Sequence, residues 1–296
     1  MPELPEVETV RRGLNQLTCH QPIQRCVVHL NRTVAYPNSP EEFSAGITGV
    51  AIAQWHRRGK YLLAELVQTH APGSSDKILE PAGWMGVHLR MTGQLLWQTR
   101  ADPLQKHCRV QFFFPGKKEL RFVDQRTFGQ LWWVPPQVPV EQVILGLQQL
   151  GPEPLSDAFS LTYLKGELRR RHRPIKNALL DQGIVAGIGN IYADESLFLS
   201  HIHPKTWCDQ LSDLSLQQLH HNIIQVLETS IMAGGTTFSD FRDIKGINGN
   251  YSQEAWTYGR TGQPCKICNT PIERLKLAGR SAHFCPHCQP LGRESS

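Results

Sequence analysis

The stretches Cys265-Lys266-Ile267-Cys268 and Cys285-Pro286-His287-Cys288 place four of the chain's eight cysteines in two CxxC pairs with sixteen residues between them. Thiolates two residues apart on a tight turn can share one tetrahedral ion, and two such pairs at this spacing supply the ligands of a structural zinc site. A reducing cytosol favours the metal over disulfides. The expected cofactor is one structural Zn2+ held by Cys265, Cys268, Cys285 and Cys288. The tail after Tyr251 then reads as a small unit that only a metal holds together. Cys19, Cys26, Cys108 and Cys208 are scattered and read as small buried hydrophobes.

Upstream of the tail the hydrophobic period is helical. Leu216, Leu219, Ile223, Leu227 and Ile231 form a stripe introduced by a Ser215/Gln218 capping box and stopped by Gly234-Gly235. Further back, Pro135-Pro136 to Pro139 and Gly151-Pro152-Glu153-Pro154 mark a boundary. Before that boundary the period is that of strands: Ile23 to Leu30, Val50 to Trp55, Tyr61 to Val67, Val87 to Trp97, Arg109 to Phe114, Leu120 to Val123 and Gln130 to Val134. Short strands at this spacing indicate a sandwich or a barrel. The stretch Ala71 to Gly83, rich in proline, glycine and serine, reads as a surface loop. At the start, Pro5 suits a first helical position, and Val7, Val10, Leu14 and Leu17 recur at helical spacing, so a first helix runs from about Pro5 to Leu17.

A chain of 296 residues with 40% hydrophobic content is comfortable as two domains with real cores. No apolar run approaches the roughly 20 residues that span a bilayer, and the first residues are acidic where a signal peptide is basic, which points to the cytoplasm. The formal charge of +5 leans towards a polyanionic partner.

Three segments carry candidate chemistry. With Met1 removed, Pro2 presents a secondary amine, and an α-amino group with a pKa of about 7.7 to 8.0 is partly unprotonated at neutral pH. Such an amine can attack a sugar C1′ or an aldehyde, with Glu3 beside it to move a proton. The other reading is that Pro2 only favours methionine removal. The run Arg169-Arg170-Arg171-His172-Arg173 is either a phosphate-contacting patch or a solvated helix face. In Gly187-Ile188-Gly189-Asn190-Ile191-Tyr192-Ala193 two glycines let backbone approach a ligand closely ahead of a helix start.

In chain order, Met1 to Glu8, Arg58-Gly59-Lys60-Tyr61, His88-Leu89-Arg90-Met91-Thr92-Gly93, Gly187 to Ala193, Gly234-Gly235-Thr236-Thr237 and the final CxxC pairs resemble the bacterial formamidopyrimidine-DNA glycosylase family over nearly the whole chain. The resemblance implies an α+β multidomain fold. It comprises an N-terminal β-sandwich catalytic domain with a leading helix (1–135), a linker (136–158), a helix-two-turns-helix DNA-binding domain (159–250) and a four-cysteine zinc finger (251–290). It implies a bifunctional glycosylase and abasic-site lyase that flips out and excises oxidised purines through a Schiff base on Pro2 and nicks the strand by β,δ-elimination. Its partner is damaged double-stranded DNA, not a membrane, and it works as a monomer in the bacterial cytoplasm, nucleoid-associated through DNA.

The same resemblance distributes roles. Pro2 is the nucleophile, Glu3 the acid at the ribose, Lys60 an aid to elimination and Arg280 a phosphate holder for the second elimination. Met91, Arg126 and Phe128 fill the void, hold the widowed base and wedge the duplex, respectively. His88, His107, Arg171, Asn190 and Tyr258 also fall at DNA-contact positions. Two departures stand out. Gln125-Arg126-Thr127-Phe128 keeps one arginine where the family often has two, and the loop from Phe238 to Tyr251, in the region that covers the flipped base, follows no transferable pattern. An endonuclease VIII-like enzyme for oxidised pyrimidines, a branch usually with glycine where this chain has Leu4, and a non-enzymatic zinc-ribbon DNA-binding protein are the alternatives.

Overall fold

The computed structural model describes residues 1–69, 80–237 and 241–291. Most of the Ala71–Gly83 loop lies outside them. The chain forms two compact units, Met1–Gln148 with Ser239–Gly249, and Gln149–Phe238 with Asn250–Ser296.

The first unit opens with α1 (Leu4–Thr18). Val7, Val10 and Leu14 are fully buried along one side of it, each worth about 1.5–3 kcal/mol of apolar transfer. Among the described residues nine strands follow: β1 (Arg25–Val28), β2 (Val34–Tyr36), β3 (Val50–Arg58), β4 (Tyr61–Gln68), β5 (Pro81–His88), β6 (Gly93–Thr99), β7 (Cys108–Phe114), β8 (Lys118–Asp124) and β9 (Gln130–Val134). They form a four-stranded sheet, β1-β7-β8-β6, and a five-stranded sheet, β2-β9-β5-β4-β3. Phe112, Phe114, Leu120 and Phe122 of the first share one core with Ile52, Leu62, Met85, Val87 and Leu131 of the second, which makes a sandwich.

Three local readings need correction. The stretch Val87 to Trp97 is two strands, because the backbone reverses at Leu89–Thr92, where Arg90 has φ 52° and the Gly93 amide donates to the Leu89 carbonyl. Pro81 to Gly83, read as the end of a loop, begin β5. A helix, α2 (Pro40–Ile47), was not anticipated; Ser39 caps it by accepting from the Glu42 amide, and Phe43 and Ile47 are buried.

Beyond the sandwich come α3 (Val140–Val143), α4 (Leu161–Arg169), α5 (Ile175–Leu179), α6 (Asn190–Leu199), α7 (Asp213–Met232) and α8 (Tyr251–Glu254). Helix α7 starts three residues earlier than the capping-box reading, since Ser212, not Ser215, is the N-cap. It stops where expected: Gly234 and Gly235 have φ 76° and 80°, and their amides reach back to the carbonyls of Ile231 and Ser230. Between α5 and α6 the chain turns twice. Asp181 accepts from the Gly183 amide, and the Gln182 side chain accepts from Gly187 and donates to Ile188. The tail adds a hairpin, β10 (Glu273–Leu277) and β11 (Arg280–Phe284).

Part of the Phe238–Tyr251 loop belongs to the sandwich. Phe241 and Ile244 are buried in its core, the Ile244 carbonyl accepts from the Trp97 amide, and Gly13 of α1 leaves room for the Ile244 side chain.

Candidate active site and nucleic-acid interface

At the N-terminus, Met1 is 39% exposed while Pro2 and Glu3 are buried. Glu3 is the N-cap of α1 and forms a reciprocal capping box with Glu6: the Glu3 amide donates to Glu6 Oε2 at 2.7 Å, and the Glu3 carboxylate accepts from the Glu6 amide. The helix start thereby fixes the carboxylate next to Pro2. Met1 also lines a pocket of about 430 Å³ with Arg90, Met91, Phe128 and Gln130.

Helix α1 is tied to the strand pair that carries Lys60. Glu8 receives hydrogen bonds from Arg11, Arg12 and Arg57, and Arg57 also donates to the Gly59 carbonyl at 3.1 Å, next to Lys60. Burial pushes the Glu8 carboxyl up, but the hydrogen bonds of Arg11 and Arg12 and the charges of Arg11 and Arg57 outweigh it and bring it down to about 2. Lys60 itself is buried.

His88, at the end of β5, is buried edge-on to the Tyr61 ring at 4.5 Å, and its Nδ1 accepts from the Arg90 amide at 3.0 Å. Desolvation, with the nearby charges of Arg90 and Lys60, depresses it to about 3. Its imidazole is therefore neutral at physiological pH with Nδ1 unprotonated, so Nε2–H is the donor it has for a ligand.

Met91 sits on the β5–β6 turn, 38% exposed, and Phe128 on the β8–β9 loop, 53% exposed. Both are large apolar side chains left partly open to solvent beside the pocket that Met1 lines. Arg126 is exposed and stacks its guanidinium 5.0 Å from the Phe128 ring centre. His107 immediately precedes β7, its ring nitrogen Nδ1 3.1 Å from Arg109 Nη2.

In the second unit, Asn190 opens α6 behind Gly189, and its Oδ1 is buried with no hydrogen-bond partner among the described residues. The arginine run is less free than its composition indicates: Arg169 pairs with Asp213, Arg170 and Arg171 with Glu167, His172 with Asp209 and Arg173 with Asp181. Each arginine of the run already has a carboxylate, which reduces its draw on phosphate. Arg280 is exposed at the tip of the β10–β11 hairpin, beside Ala278 and Gly279 with φ 44° and 80°.

The four tail cysteines converge. Their sulfurs lie within 4.8 Å of one another, with Cys268–Cys285 at 3.4 Å, Cys268–Cys288 at 3.5 Å and Cys265–Cys288 at 3.9 Å. A tetrahedral zinc with bonds of about 2.3 Å sets its ligands about 3.8 Å apart, so the donor set fits the ion. The amides of Ile267 and Cys288 donate to the sulfurs of Cys265 and Cys285, as thiolate acceptors require. Cys26, Cys108 and Cys208 are buried and burial pushes their thiols up, to about 12, 11 and 11; Cys19 is only half-buried.

The tail is not held by metal alone, which corrects the sequence expectation. Buried Asp194 of α6 accepts from the His283 amide at 2.9 Å and from Lys176 at 2.5 Å, and Lys176 also donates to the Ser281 carbonyl. Glu195 accepts from the amides of Trp256, Thr257 and Tyr258 at 2.7, 2.9 and 2.9 Å, while burial raises its carboxyl. Tyr258, held this way, packs edge-on to His283. Sequence reasoning missed both carboxylates; the available signal was an adjacent acidic pair inside an otherwise apolar helix.

The candidate residues thus fall into two sets. Pro2, Glu3, Lys60, His88, Met91, His107, Arg126 and Phe128 belong to the first unit, and Arg171, Asn190, Tyr258, Arg280 and the cysteines to the second. Family models match along the chain: the formamidopyrimidine-DNA glycosylase N-terminal domain over residues 1–131, its H2TH domain over 150–242, and the zinc finger found in FPG and IleRS over 262–291. The chain belongs to the formamidopyrimidine-DNA glycosylase family. It is 60% identical over 291 residues to the formamidopyrimidine-DNA glycosylase of Nostoc punctiforme, covering 98% of this chain and 97% of that one. Among solved structures it is similar, at TM-score 0.86 and 34% identity over 98% of this chain and 100% of the other, to Lactococcus lactis FPG, both as a point mutant with Fapy-dG containing DNA and with abasic-site DNA.

Proposed function

We propose that this chain is a base-excision repair enzyme, a DNA glycosylase and abasic-site lyase for oxidised purines that uses Pro2 as its nucleophile. The observation that carries the reading is the N-terminus, where Glu3 is fixed by the α1 capping box next to Pro2 and Met1 lines the pocket walled by Met91 and Phe128. In the processed chain the Pro2 nitrogen attacks C1′ of the flipped nucleotide, the glycosidic bond to the base breaks, and the base leaves with the equivalent of the proton that the attacking amine sheds. Glu3 protonates the ribose as the ring opens to the Schiff base. Proton loss at C2′ and then C4′ expels the 3′ and 5′ phosphates, aided by the cations of Lys60 and Arg280. His88 offers a neutral donor to DNA, and Asn190 contributes a side-chain amide whose oxygen has no partner among the described residues. His107, Arg171 and Tyr258 complete the DNA contacts, and Arg126 reads the widowed base.

The division of labour follows the domains: 1–135 the catalytic sandwich, 136–158 the linker, 159–250 the helix-two-turns-helix domain and 251–290 the finger, with 241–249 serving the sandwich core. Cys265, Cys268, Cys285 and Cys288 hold zinc, which is structural and stiffens the hairpin that presents Arg280. The enzyme acts as a monomer on damaged duplex DNA in the bacterial cytoplasm; among the described residues no helix is long and apolar enough to cross a membrane.

The test is borohydride trapping on duplex DNA carrying 8-oxoguanine opposite cytosine. A covalent adduct that disappears in Pro2→Gly and when Met1 is retained supports the enzyme, and its absence with processed wild-type protein overturns it. Lactococcus lactis FPG was also solved with an oxidised pyrimidine in DNA, so the panel includes that lesion; faster excision of it than of 8-oxoguanine would transfer the chain to the pyrimidine-excising class.

A further inference from the structure

The two wedge-bearing loops are the paired crossings of the sandwich. The Met91 turn passes from β5 in the five-stranded sheet to β6 in the four-stranded one, and the Arg126–Phe128 loop passes from β8 back to β9. Their feet are register partners, Gly93 with Asp124 and His88 with Gln130. Between them lies Asp124, fully buried. One carboxylate oxygen accepts the Thr92 hydroxyl, and the other accepts the Gly129 amide at 2.7 Å. The Thr92 oxygen in turn accepts from the Arg126 amide at 3.0 Å. The backbone of Asp124 adds two links: its amide donates to the His107 carbonyl, and its carbonyl accepts from Arg109 Nε.

We propose that Asp124, acting through the Thr92 hydroxyl, is the positioning residue that locks the Met91 turn and the Arg126–Phe128 loop into one rigid DNA-wedging unit. The inference rests on the glycosylase reading above. Thr92 is the bridge: from the Met91 turn its hydroxyl donates to Asp124 at the foot of the other loop and accepts from that loop's Arg126 amide, so both bonds vanish with one oxygen. Gly129 has its place for the same reason, since a Cβ there would lie 2.4 Å from Phe122 Cζ and 3.0 Å from Asp124 Oδ2. A wedge must push into a base step against stacking, and loops that entered it independently would lose their own freedom at that moment. Fixing Met91 and Phe128 beforehand moves that entropy loss into folding.

The test compares Thr92→Val, which keeps the shape and loses the oxygen, with Thr92→Ser, which keeps the oxygen. Borohydride trapping rates are measured on duplex 8-oxoguanine opposite cytosine and on a single-stranded oligonucleotide with an abasic site, which has no stack to wedge and no widowed base. Thr92→Val is expected to slow duplex trapping about tenfold, the rate equivalent of one lost hydrogen bond to a charged group. Single-strand trapping stays within about twofold on the same scale, and Thr92→Ser restores the duplex rate. Equal rates for Thr92→Val and wild type on duplex, or equal losses on both substrates, overturn the proposal. Wild-type protein that traps neither substrate overturns the glycosylase reading, and this inference with it.

Discussion

Chelating the zinc is expected to loosen α6 as well as the finger, while leaving the sandwich intact. His283 and Ser281 lie on β11, in the segment between Cys268 and Cys285 that the metal closes. When that segment detaches, Asp194 loses the His283 amide and ring, and Lys176 loses the Ser281 carbonyl. Hydrogen bonds to charged groups are worth about 1.5–3 kcal/mol each, so three of them amount to roughly 4–9 kcal/mol, against roughly 5–15 kcal/mol for a whole domain. The Lys176–Asp194 pair survives in part as water enters, which places the net loss near the lower figure. Hydrogen exchange of the α6 amides, with and without chelator, reads the effect directly, and Cys265→Ser provides the same perturbation without chelator. Protection of Ile191 to Phe198 that changes by less than about 1 kcal/mol would refute the coupling. Equal loss of protection in β4 and β5 would refute the independence of the sandwich.

Two further expectations concern protons. Because His88 is held near 3 in the folded protein and is ordinary when unfolded, the unfolded state binds the extra proton between about pH 3 and 6.5, and stability rises with pH across that window. Its ring resonances should not titrate between pH 5 and 8, and His88→Gln should leave the shape of the pH–rate profile unchanged; a titration near 6.5 would show a solvated ring. Glu8, brought down to about 2, contributes stability that is complete above its unfolded value and is lost as pH falls from about 4.5 towards 2. Glu8→Gln should cost about 2 kcal/mol by denaturant unfolding at pH 7 and only about a quarter of that at about pH 2.5, where the unfolded carboxyl is protonated and the folded one is beginning to be, a difference that a purely steric role would not produce.

How much was legible in the sequence depended on whether the signal was local. The period of α1, the Gly234-Gly235 stop and the cysteine spacing are short-range patterns, and the structure carries them as read. Val87 to Trp97 misled because apolar alternation continues through the reversal at Arg90 and Met91, which is set by Gly93 approaching the Leu89 carbonyl rather than by a turn dipeptide. The cap of α7 was placed late because Ser212 and Ser215 both suit the position and only geometry chooses. The arginine run reads as a phosphate patch or a solvated helix face because two of its partners, Asp209 and Asp213, are distant in sequence, although Glu167, three and four residues before Arg170 and Arg171, is a local signal. Asp194 and Glu195 showed in the sequence only as an acidic pair in an apolar helix, and Asp124 not at all, because their meaning resides in groups that other segments bring to them.

The excursion of Phe241 and Ile244 into the sandwich core makes the order of synthesis matter. Residues that complete the first unit are encoded roughly ninety positions after the first part of that unit ends, beyond most of the second unit. Two buried side chains of this size represent roughly 3–6 kcal/mol of apolar burial, a sizeable share of a domain's stability. A ribosome releasing the chain from its N-terminus therefore exposes a sandwich with an unfilled flank beside α1 until residue 249 has emerged. The first unit to begin folding therefore closes only after the helical segment 149–238 has been made, and the second unit closes later still, because the segment after residue 249 supplies the amides that satisfy Glu195 and Asp194.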